Sequence, residues 1–320
     1  MLTTSETPVG RFAPSPTGRM HAGNIFASLV NWLLVKAQGG SMVLRIEDLD
    51  RERSRREHID HVMHDFETLG LTWDKGPYYQ HDRDEAYRSA FSKLRSLGLV
   101  YPCYCTRADL LASSAPHHGE KTVYAGTCRS LGVEERAARD ERIALLGDPC
   151  RKHAAQRLMV DDRTIELVDI FQGPYAQKLD SDCGDFLVQR ADDAFAYQLA
   201  VVVDDAEQGV NTVVRGVDLL CSTPQQIYLQ DLLGLARCEY GHVPLMVDET
   251  GRRLAKRNRD AAFDELLVRY KTPAGVIGHI AYLGGLRDED APVMPEELLA
   301  DFSIERLQLR YRGVIALPFS

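Results

Sequence analysis

A strand-like segment, a tight turn and a long apolar helix follow one another at the start of the chain. The turn lies within GRFAPSPTGRMHAGN, residues 10–24, and contains Pro14, Pro16, Gly18 and Gly23. The next segment, NIFASLVNWLLVKAQGG, carries apolar side chains at four-residue spacing and ends in two glycines, which is typical of a buried helix. This order of strand, turn and helix predicts the first unit of a parallel α/β sheet.

The same alternation continues to about residue 100, with a strand around Val43 to Ile46 and a helix from about Asp84 to Leu97. We therefore predict an α/β fold built on a Rossmann-type parallel sheet. Its predicted parts are a first half (1–100), a cysteine-containing insert (101–180), a second half (181–260) and a helical C-terminal segment (261–320). Within the second half, the stretch from FLVQ to VDLL is predicted to be rich in strands.

Composition indicates an ordinary globular protein rather than a membrane or secreted one. The 320 residues are 44% hydrophobic and 27% charged, with a net charge of −9. No apolar run approaches the roughly 20 residues of a membrane span, and the first residues lack the pattern of a signal peptide. Seven unevenly spaced cysteines suit a reducing compartment. We expect a cytoplasmic protein without membrane contact and, since no heptad pattern is present, a monomer.

The turn has the composition of a phosphate-binding connection. In open α/β sheets, ligands bind outside the carboxyl ends of the strands, where helix N-termini present unpaired N–H groups. Gly18 and Gly23 allow close approach of a ligand to the backbone, and His21 can donate a hydrogen bond to a phosphate oxygen. The alternative interpretation is a rigid βα loop that carries a surface histidine.

The turn resembles a signature of class I glutamyl- and glutaminyl-tRNA synthetases, in which RFAPSPTG precedes a HIGH-type motif. Here that motif reads HAGN at residues 21–24. The second motif of the family, KMSKS, is matched in position by GRRLAKRN, where Lys256 stands for the second lysine. Arg253 replaces the first lysine and keeps its charge, whereas Ala255 replaces a serine and loses its hydroxyl. Alone, this segment would be interpreted as a solvated basic loop.

The resemblance implies a class I synthetase catalytic domain that forms an aminoacyl adenylate from ATP. It implies that His21 and Lys256 are catalytic, on either side of the phosphates, where cations and N–H donors stabilise the transition state. Mg²⁺ would accompany the ATP. The residues implied to bind ATP are Gly18, His21, Gly23, Asn24 and Lys256.

A glutamate substrate has two carboxylates and an ammonium group, so it requires cations and a buried acid. The family's substrate positions match here within RFAPS, RIED, AYQLA and VVRGVD. The resemblance implies that Arg11 and Arg215 hold carboxylates, that Glu47 holds the ammonium group and that Tyr197 donates a hydrogen bond. Taken singly, each could instead form a structural ion pair. The implied glutamate-binding set is Arg11, Phe12, Ala13, Pro14, Ser15, Glu47, Tyr197 and Arg215.

The insert contains CYC at 103–105 and YAGTC at 124–128. Three thiolates are most of a tetrahedral zinc site, although three free thiols are the alternative interpretation. Chemistry alone favours His117 or His118 as the fourth ligand. The short family members known as glutamyl-queuosine tRNA(Asp) synthetases carry Cys-x-Cys and Tyr-x₃-Cys. That resemblance implies one structural Zn²⁺ per chain, held by Cys103, Cys105, Tyr124 and Cys128.

About sixty residues follow Arg259, which is too few for the helical anticodon-binding domain of a discriminating glutamyl-tRNA synthetase. We therefore expect no anticodon-binding domain, and the short family members imply transfer of glutamate to the queuosine base of tRNA(Asp). The alternatives are a minimal enzyme that charges a tRNA 3′ end and a non-catalytic tRNA-binding remnant. The route for the anticodon arm would include Arg51, Arg53, Arg55 and Arg56, which could equally lie on a solvated helix start.

Overall fold

The computed structural model describes residues 6–50, 54–106, 109, 123–148, 151–248, 251 and 262–319. The helices in these ranges are α1 (Ala22–Lys36), α2 (Arg56–Thr68), α3 (Asp84–Ser96), α4 (Val133–Leu146), α5 (Tyr197–Glu207), α6 (Thr223–Leu233), α7 (Phe263–Tyr270), α8 (Pro273–Gly284), α9 (Pro295–Leu298) and α10 (Ile304–Tyr311). The strands are β1 (Val9–Phe12), β2 (Ser41–Ile46), β3 (Lys75–Tyr79), β4 (Val100–Cys103), β5 (Ala155–Leu158), β6 (Thr164–Asp169), β7 (Gly173–Lys178), β8 (Phe186–Gln189), β9 (Thr212–Gly216), β10 (Glu239–Val243), β11 (Leu245–Val247) and β12 (Ala316–Pro318). Among these helices none is both long enough and apolar enough to cross a membrane.

Parallel strands form the centre of the fold, as predicted. β1 pairs with β2 and β2 with β3, and β9 pairs with β10, all in parallel. β9 lies beside β1, where the backbone N–H of Asn211 donates to the Val9 carbonyl (3.1 Å) and the Val9 N–H donates to Asn211 Oδ1 (2.7 Å). The spatial order is therefore β10, β9, β1, β2, β3, so strands from both halves of the chain meet at β1.

Helix α1 lies at the centre of the larger hydrophobic core. Ten of its side chains are buried, because it lies between the sheet and the C-terminal segment. That segment is helical, as predicted, and Leu307, Tyr311 and Leu317 pack into the same core as α1. The Tyr311 hydroxyl donates to the Gly284 carbonyl (2.7 Å). The chain then ends in β12, which pairs in parallel with β11.

The insert is built on an antiparallel sheet of β4, β5 and β8. β6 and β7 form a separate antiparallel hairpin, and α4 is an exposed helix with one buried side chain, Ile143. Because β8 follows the predicted boundary at residue 180, this sheet draws on residues from both sides of that boundary.

The prediction that the stretch from FLVQ to VDLL is rich in strands was wrong for residues 197–207, which form helix α5. Its valine run has β propensity, but propensity is a weak determinant when a segment is buried on all sides. Leu199 through Asp205 are all buried in α5. Tyr197 therefore lies at a helix N-terminus rather than beside a strand.

Candidate active site

A cavity of about 610 Å³ lies at the carboxyl ends of β1, β2 and β9. This is the edge at which open α/β sheets bind their ligands. The structure brings together on its wall every described residue that the sequence predicts to bind glutamate or ATP: Arg11, Phe12, Ala13, Pro14, Ser15, Gly18, His21, Gly23, Asn24, Glu47, Tyr197 and Arg215. Lys256, Arg253 and Ala255 lie outside the described residues.

The proline–glycine turn brings the N-terminus of α1 to the cavity. His21 immediately precedes α1 as its N-terminal cap. A Cβ atom at Gly23 would lie 3.2 Å from the His21 ring, so glycine allows the histidine to fold over the helix start. The Glu47 N–H donates to the Pro14 carbonyl (3.0 Å), and the Asp65 carboxylate binds the turn at Arg19 (2.6 Å). The first helical N–H groups therefore face the cavity from a fixed turn, which suits an anion.

Arg11 is the buried cation at the end of β1. It is 5% exposed, its Nη1 donates to the Val214 carbonyl (3.2 Å), and its Nε lies 3.7 Å from Asp205 Oδ1. That Nε has no hydrogen-bond partner among the described residues. A buried guanidinium with unused donor capacity is suited to binding a carboxylate.

Arg215 is the second buried cation, at the end of β9. Its Nη2 donates to Thr223 Oγ1 (2.9 Å) and its Nε donates to His242 Nε2 (3.1 Å). Its Nη1 has no hydrogen-bond partner within the described residues. Both arginines line the cavity, so two buried guanidinium groups are present on its wall, as expected for a ligand with two carboxylates.

Glu47 and Tyr197 supply the acidic part of the wall. Burial raises the pKa of Glu47, an effect that the charges of Arg45 and Arg11 partly offset. Burial also raises the pKa of Tyr197, and the nearby Glu47 carboxylate adds to the effect. Tyr197 is therefore a neutral hydrogen-bonding group. An ammonium ion beside Glu47 would favour the charged carboxylate.

Behind these residues, Arg45 is fully buried and joins several carboxylates. Its Nη1 donates to Asp205 Oδ1 (2.7 Å) and to Gln208 Oε1 (2.9 Å), and its Nη2 donates to Glu47 Oε1 (3.4 Å). Its Nε lies 3.7 Å from Asp204 Oδ2. Arg45 therefore links Glu47 to Asp205, which in turn lies beside Arg11.

Replacing Arg45 by methionine is expected to lower the free energy of unfolding by about 3–5 kcal/mol, because the buried carboxylates lose their shared cation. The measurement is urea denaturation followed by circular dichroism. Arg237→Met is the matched control, since Arg237 forms an exposed pair with Asp231 that is worth about 1 kcal/mol or less. Equal losses in the two variants would contradict the expectation.

Three cysteines and one tyrosine meet in the insert. The sulfur atoms of Cys103, Cys105 and Cys128 lie within 4.8 Å of one another. The Tyr124 hydroxyl oxygen lies 3.6 Å from Cys103 Sγ and 3.8 Å from Cys105 Sγ, and the sulfurs of Cys105 and Cys128 are 3.6 Å apart. Ligands bound to zinc at about 2.3 Å in a tetrahedron lie about 3.8 Å apart. The three measured separations are therefore compatible with a metal site, and the three cysteines could hold a metal ion.

Hydrogen-bond donors face two of the three sulfur atoms. Arg157 Nε donates to Cys103 Sγ (3.2 Å) and the Tyr104 N–H donates to Cys128 Sγ (3.3 Å). Burial tends to raise the pKa of Cys103, but hydrogen bonds from Arg157, the Cys105 N–H and Tyr124, together with the charge of Arg157, outweigh it and lower this pKa overall. Burial and the neighbouring Cys103 raise the pKa of the Cys105 thiol to about 12. His117 and His118 lie outside the described residues.

The arginines predicted to guide the anticodon arm are only partly described. Arg51 and Arg53 lie outside the described residues. Arg55 precedes α2 and Arg56 begins it, and Arg56 is exposed beside Asp60 (3.8 Å). Their placement at an exposed helix start leaves the predicted route untested.

The sequence analysis missed the residues that support Arg11 and Arg215. These are Arg45 and Asp205 behind Arg11, and His242 and Asp169 beside Arg215. The available signal was the pair Asp204–Asp205 within an otherwise apolar segment, since acidic residues are rarely buried unless they are paired.

Comparison with known proteins identifies the family. The family model for class I tRNA synthetases (E and Q), catalytic domain, matches residues 9–289. Proteins named glutamyl-Q tRNA(Asp) synthetase are 43% identical in Symbiobacterium thermophilum, with 93% of both chains covered, and 40% identical in Nitratidesulfovibrio vulgaris, with 94% of both covered. The crystal structure of a glutamate tRNA ligase from Elizabethkingia meningosepticum in complex with its amino acid shares the fold, with a TM-score of 0.77 at 24% identity over 98% of this chain and 67% of that one. The chain therefore belongs to the class I tRNA synthetases (E and Q) and, within them, to the group of glutamyl-Q tRNA(Asp) synthetases.

Proposed function

We propose that the protein activates L-glutamate with ATP and transfers the glutamyl group to the queuosine base in the anticodon of tRNA(Asp). One observation carries the activation step: two buried arginines, Glu47, Tyr197 and the N-terminus of α1 converge on one cavity. The queuosine acceptor rests on relatives of 40–44% identity that are named for it. The three substrates, ATP, glutamate and tRNA, are cytoplasmic, so we propose that location.

The cavity wall has one polar group for each charge of glutamate. Arg11 and Arg215 both line the cavity, and each would bind one carboxylate. Glu47 would bind the ammonium group, and the neutral Tyr197 hydroxyl would add a hydrogen bond. Charge-assisted hydrogen bonds of this kind orient a small ligand in a fixed pose, as in-line attack requires.

In the activation step, an oxygen of the substrate α-carboxylate attacks the α-phosphorus of ATP. A P–O bond forms, the bond from the α-phosphorus to the bridging oxygen breaks, and pyrophosphate leaves. His21 and the first N–H groups of α1 would stabilise the negative charge on the phosphate oxygens. Mg²⁺ would accompany the nucleotide, and Lys256 is proposed for the opposite side of the phosphates.

In the transfer step, a hydroxyl oxygen of the queuosine ring attacks the glutamyl carbonyl carbon. An ester bond forms, the acyl–phosphate bond breaks and AMP leaves, while the hydroxyl proton passes to a phosphate oxygen or to water. The protein therefore needs to hold the adenylate and exclude water until the acceptor arrives.

We also propose that Cys103, Cys105, Cys128 and Tyr124 hold one structural Zn²⁺. The support is their mutual spacing of 3.6–3.8 Å where it is measured and the N–H groups that donate to two of the sulfurs. Four protein ligands leave no open position for water, so the ion would stabilise the insert rather than take part in the reaction.

The acceptor is tested with purified protein, ATP, Mg²⁺ and labelled glutamate. The protein is offered tRNA from cells with and without the queuosine pathway, and the labelled nucleotide is mapped by nuclease digestion. We expect label in an anticodon fragment of queuosine-containing tRNA and none in tRNA that lacks queuosine.

Two other outcomes would overturn the proposal in different ways. Label at the 3′ end, independent of queuosine, would indicate a minimal charging enzyme. No transfer, together with no glutamate-dependent pyrophosphate exchange, would indicate a tRNA-binding remnant.

A further inference from the structure

Arg215 is the first member of a buried chain of three side chains. Its Nε donates to His242 Nε2 (3.1 Å), and His242 Nδ1 lies 2.5 Å from Asp169 Oδ2. His242 is 0% exposed, Asp169 2% and Arg215 6%. Asp169 ends β6 in the insert, whereas Arg215 and His242 lie on the parallel strands β9 and β10. The chain thus runs from the insert to the cavity wall.

The Asp169 carboxylate cannot rotate freely, because backbone groups hold its other oxygen. Asp169 Oδ1 accepts hydrogen bonds from the N–H groups of Phe171 (3.0 Å), Gln172 (2.9 Å) and His242 (3.0 Å). Oδ2 is left facing the His242 ring. An oxygen in that position requires a proton on Nδ1, so the second ring nitrogen, Nε2, has a free lone pair.

That lone pair accepts the Arg215 Nε–H. The guanidinium is held a second time where Nη2 donates to Thr223 Oγ1 (2.9 Å), and Thr223 Oγ1 itself lies 3.3 Å from His242 Nε2. Burial lowers the pKa of His242, and the charge of Arg215 lowers it further, against the opposing effect of Asp169. The ring is therefore the neutral acceptor that this geometry needs.

We propose that His242 and Asp169 are positioning residues for glutamate. Asp169 selects the His242 tautomer, and His242 fixes the Arg215 guanidinium so that Nη1, which has no protein partner within the described residues, is available to a substrate carboxylate. This inference rests on the proposed function, since it concerns how the same cavity recognises glutamate. It adds residues of the insert and of β10 to a site otherwise built from strand ends and the α1 turn.

Asp169→Asn is the sharpest test, because it keeps the shape of the side chain. The three backbone N–H groups need an oxygen, so the amide oxygen stays with them and the amide NH₂ turns to His242 Nδ1. The ring must then carry its proton on Nε2. This N–H and the Arg215 Nε–H would face each other with no acceptor between them. A misplaced tautomer of this kind is known to impair a site whose geometry is otherwise intact.

We expect Asp169→Asn to raise the KM for glutamate in pyrophosphate exchange by about 10- to 100-fold, with little change in the KM for ATP. In ¹⁵N-histidine NMR, the His242 signals should change from the Nδ1–H to the Nε2–H pattern. His242→Phe assigns those signals by removing them. It keeps an aromatic ring but has no nitrogen, so residue 169 can no longer act on Arg215 through position 242.

The double variant Asp169→Asn with His242→Phe separates positioning from a structural role. If the tautomer is the cause, the double variant has the glutamate KM of His242→Phe alone, because phenylalanine has no tautomer to misplace. A KM of the double variant above that of His242→Phe alone, or a glutamate KM unchanged in Asp169→Asn, would overturn the inference.

The tautomer readout also keeps this inference distinct from the proposed function. If the unaltered protein shows no glutamate-dependent exchange, the proposed function fails whatever the spectrum shows. If exchange is normal but the native ring carries its proton on Nε2, the inference fails and the proposed function stands.

Discussion

Replacing Arg215 by methionine is expected to lower kcat/KM for glutamate in pyrophosphate exchange by about 100- to 1,000-fold, because the variant lacks a buried, hydrogen-bonded charge partner for a substrate carboxylate. Methionine fills a similar volume, so the loss reports the guanidinium rather than a cavity. The affinity for ATP should change little, since the groups proposed to bind its phosphates, His21 and the N-terminus of α1, belong to the HAGN motif and not to the strand that carries Arg215. The measurement is exchange at varied glutamate and saturating ATP.

Two further variants make this result specific. Arg88→Met is the matched control, because Arg88 forms an exposed pair with Asp84 on α3 and should keep normal exchange. Arg11→Met should also impair glutamate activation. One of the two arginines is expected to bind the side-chain carboxylate of glutamate. Only the variant that lacks this arginine should lose its preference for glutamate over glutamine. If Arg215→Met retains normal kcat/KM, Arg215 has no role in substrate binding.

The cavity could be predicted from sequence because its residues belong to short motifs at fixed places in the fold. Arg11 ends a strand, Glu47 ends the next and the turn lies between β1 and α1. The carboxyl ends of parallel strands meet at one edge, so a strand–helix–strand pattern implies that these side chains converge. That implication needs only local sequence and the topology of the sheet.

The support behind the cavity could not be predicted in the same way. His242 meets an aspartate 73 positions earlier, and Arg45 meets Asp205 across 160 positions. Such pairs depend on how the insert and α5 pack against the sheet, which no local pattern records. The helical state of α5 was missed for a related reason: its valines favour a strand, and only burial on all sides reverses that preference.

The cysteine cluster lies between these two cases. C-x-C and Tyr-x₃-Cys are local patterns of the sequence, but that they meet is a property of the fold. Tyr124 reaches the three sulfurs, and the Cys128 N–H donates to its hydroxyl oxygen (2.9 Å). These contacts support the proposed tyrosine ligand, whereas the chemistry of the residue types alone favours His117 or His118, which lie outside the described residues.

Cys128→Ser is expected to abolish stoichiometric zinc binding and to loosen the insert, because a structural zinc contributes its binding free energy to folding. Loss of a ligand should weaken zinc binding by more than about 100-fold, the upper range for loss of an outer-shell partner. Metal content is measured by mass spectrometry after dialysis, and hydrogen exchange in β4 and β5 reports the insert. Cys238→Ser is the matched control, because Cys238 contacts Gln230 and Val210 and is not part of the cluster.

The fourth ligand is decided by comparing Tyr124→Phe with His117→Ala and His118→Ala. Tyr124→Phe removes one oxygen and keeps the ring over which Arg157 stacks at 3.8 Å, so a loss of zinc affinity in this variant alone assigns the tyrosine. Weaker binding in a histidine variant, with Tyr124→Phe unaffected, would assign that histidine instead. If the unaltered protein retains no metal, the cluster is three thiols held by Arg157 and the backbone, and the insert owes its stability to packing.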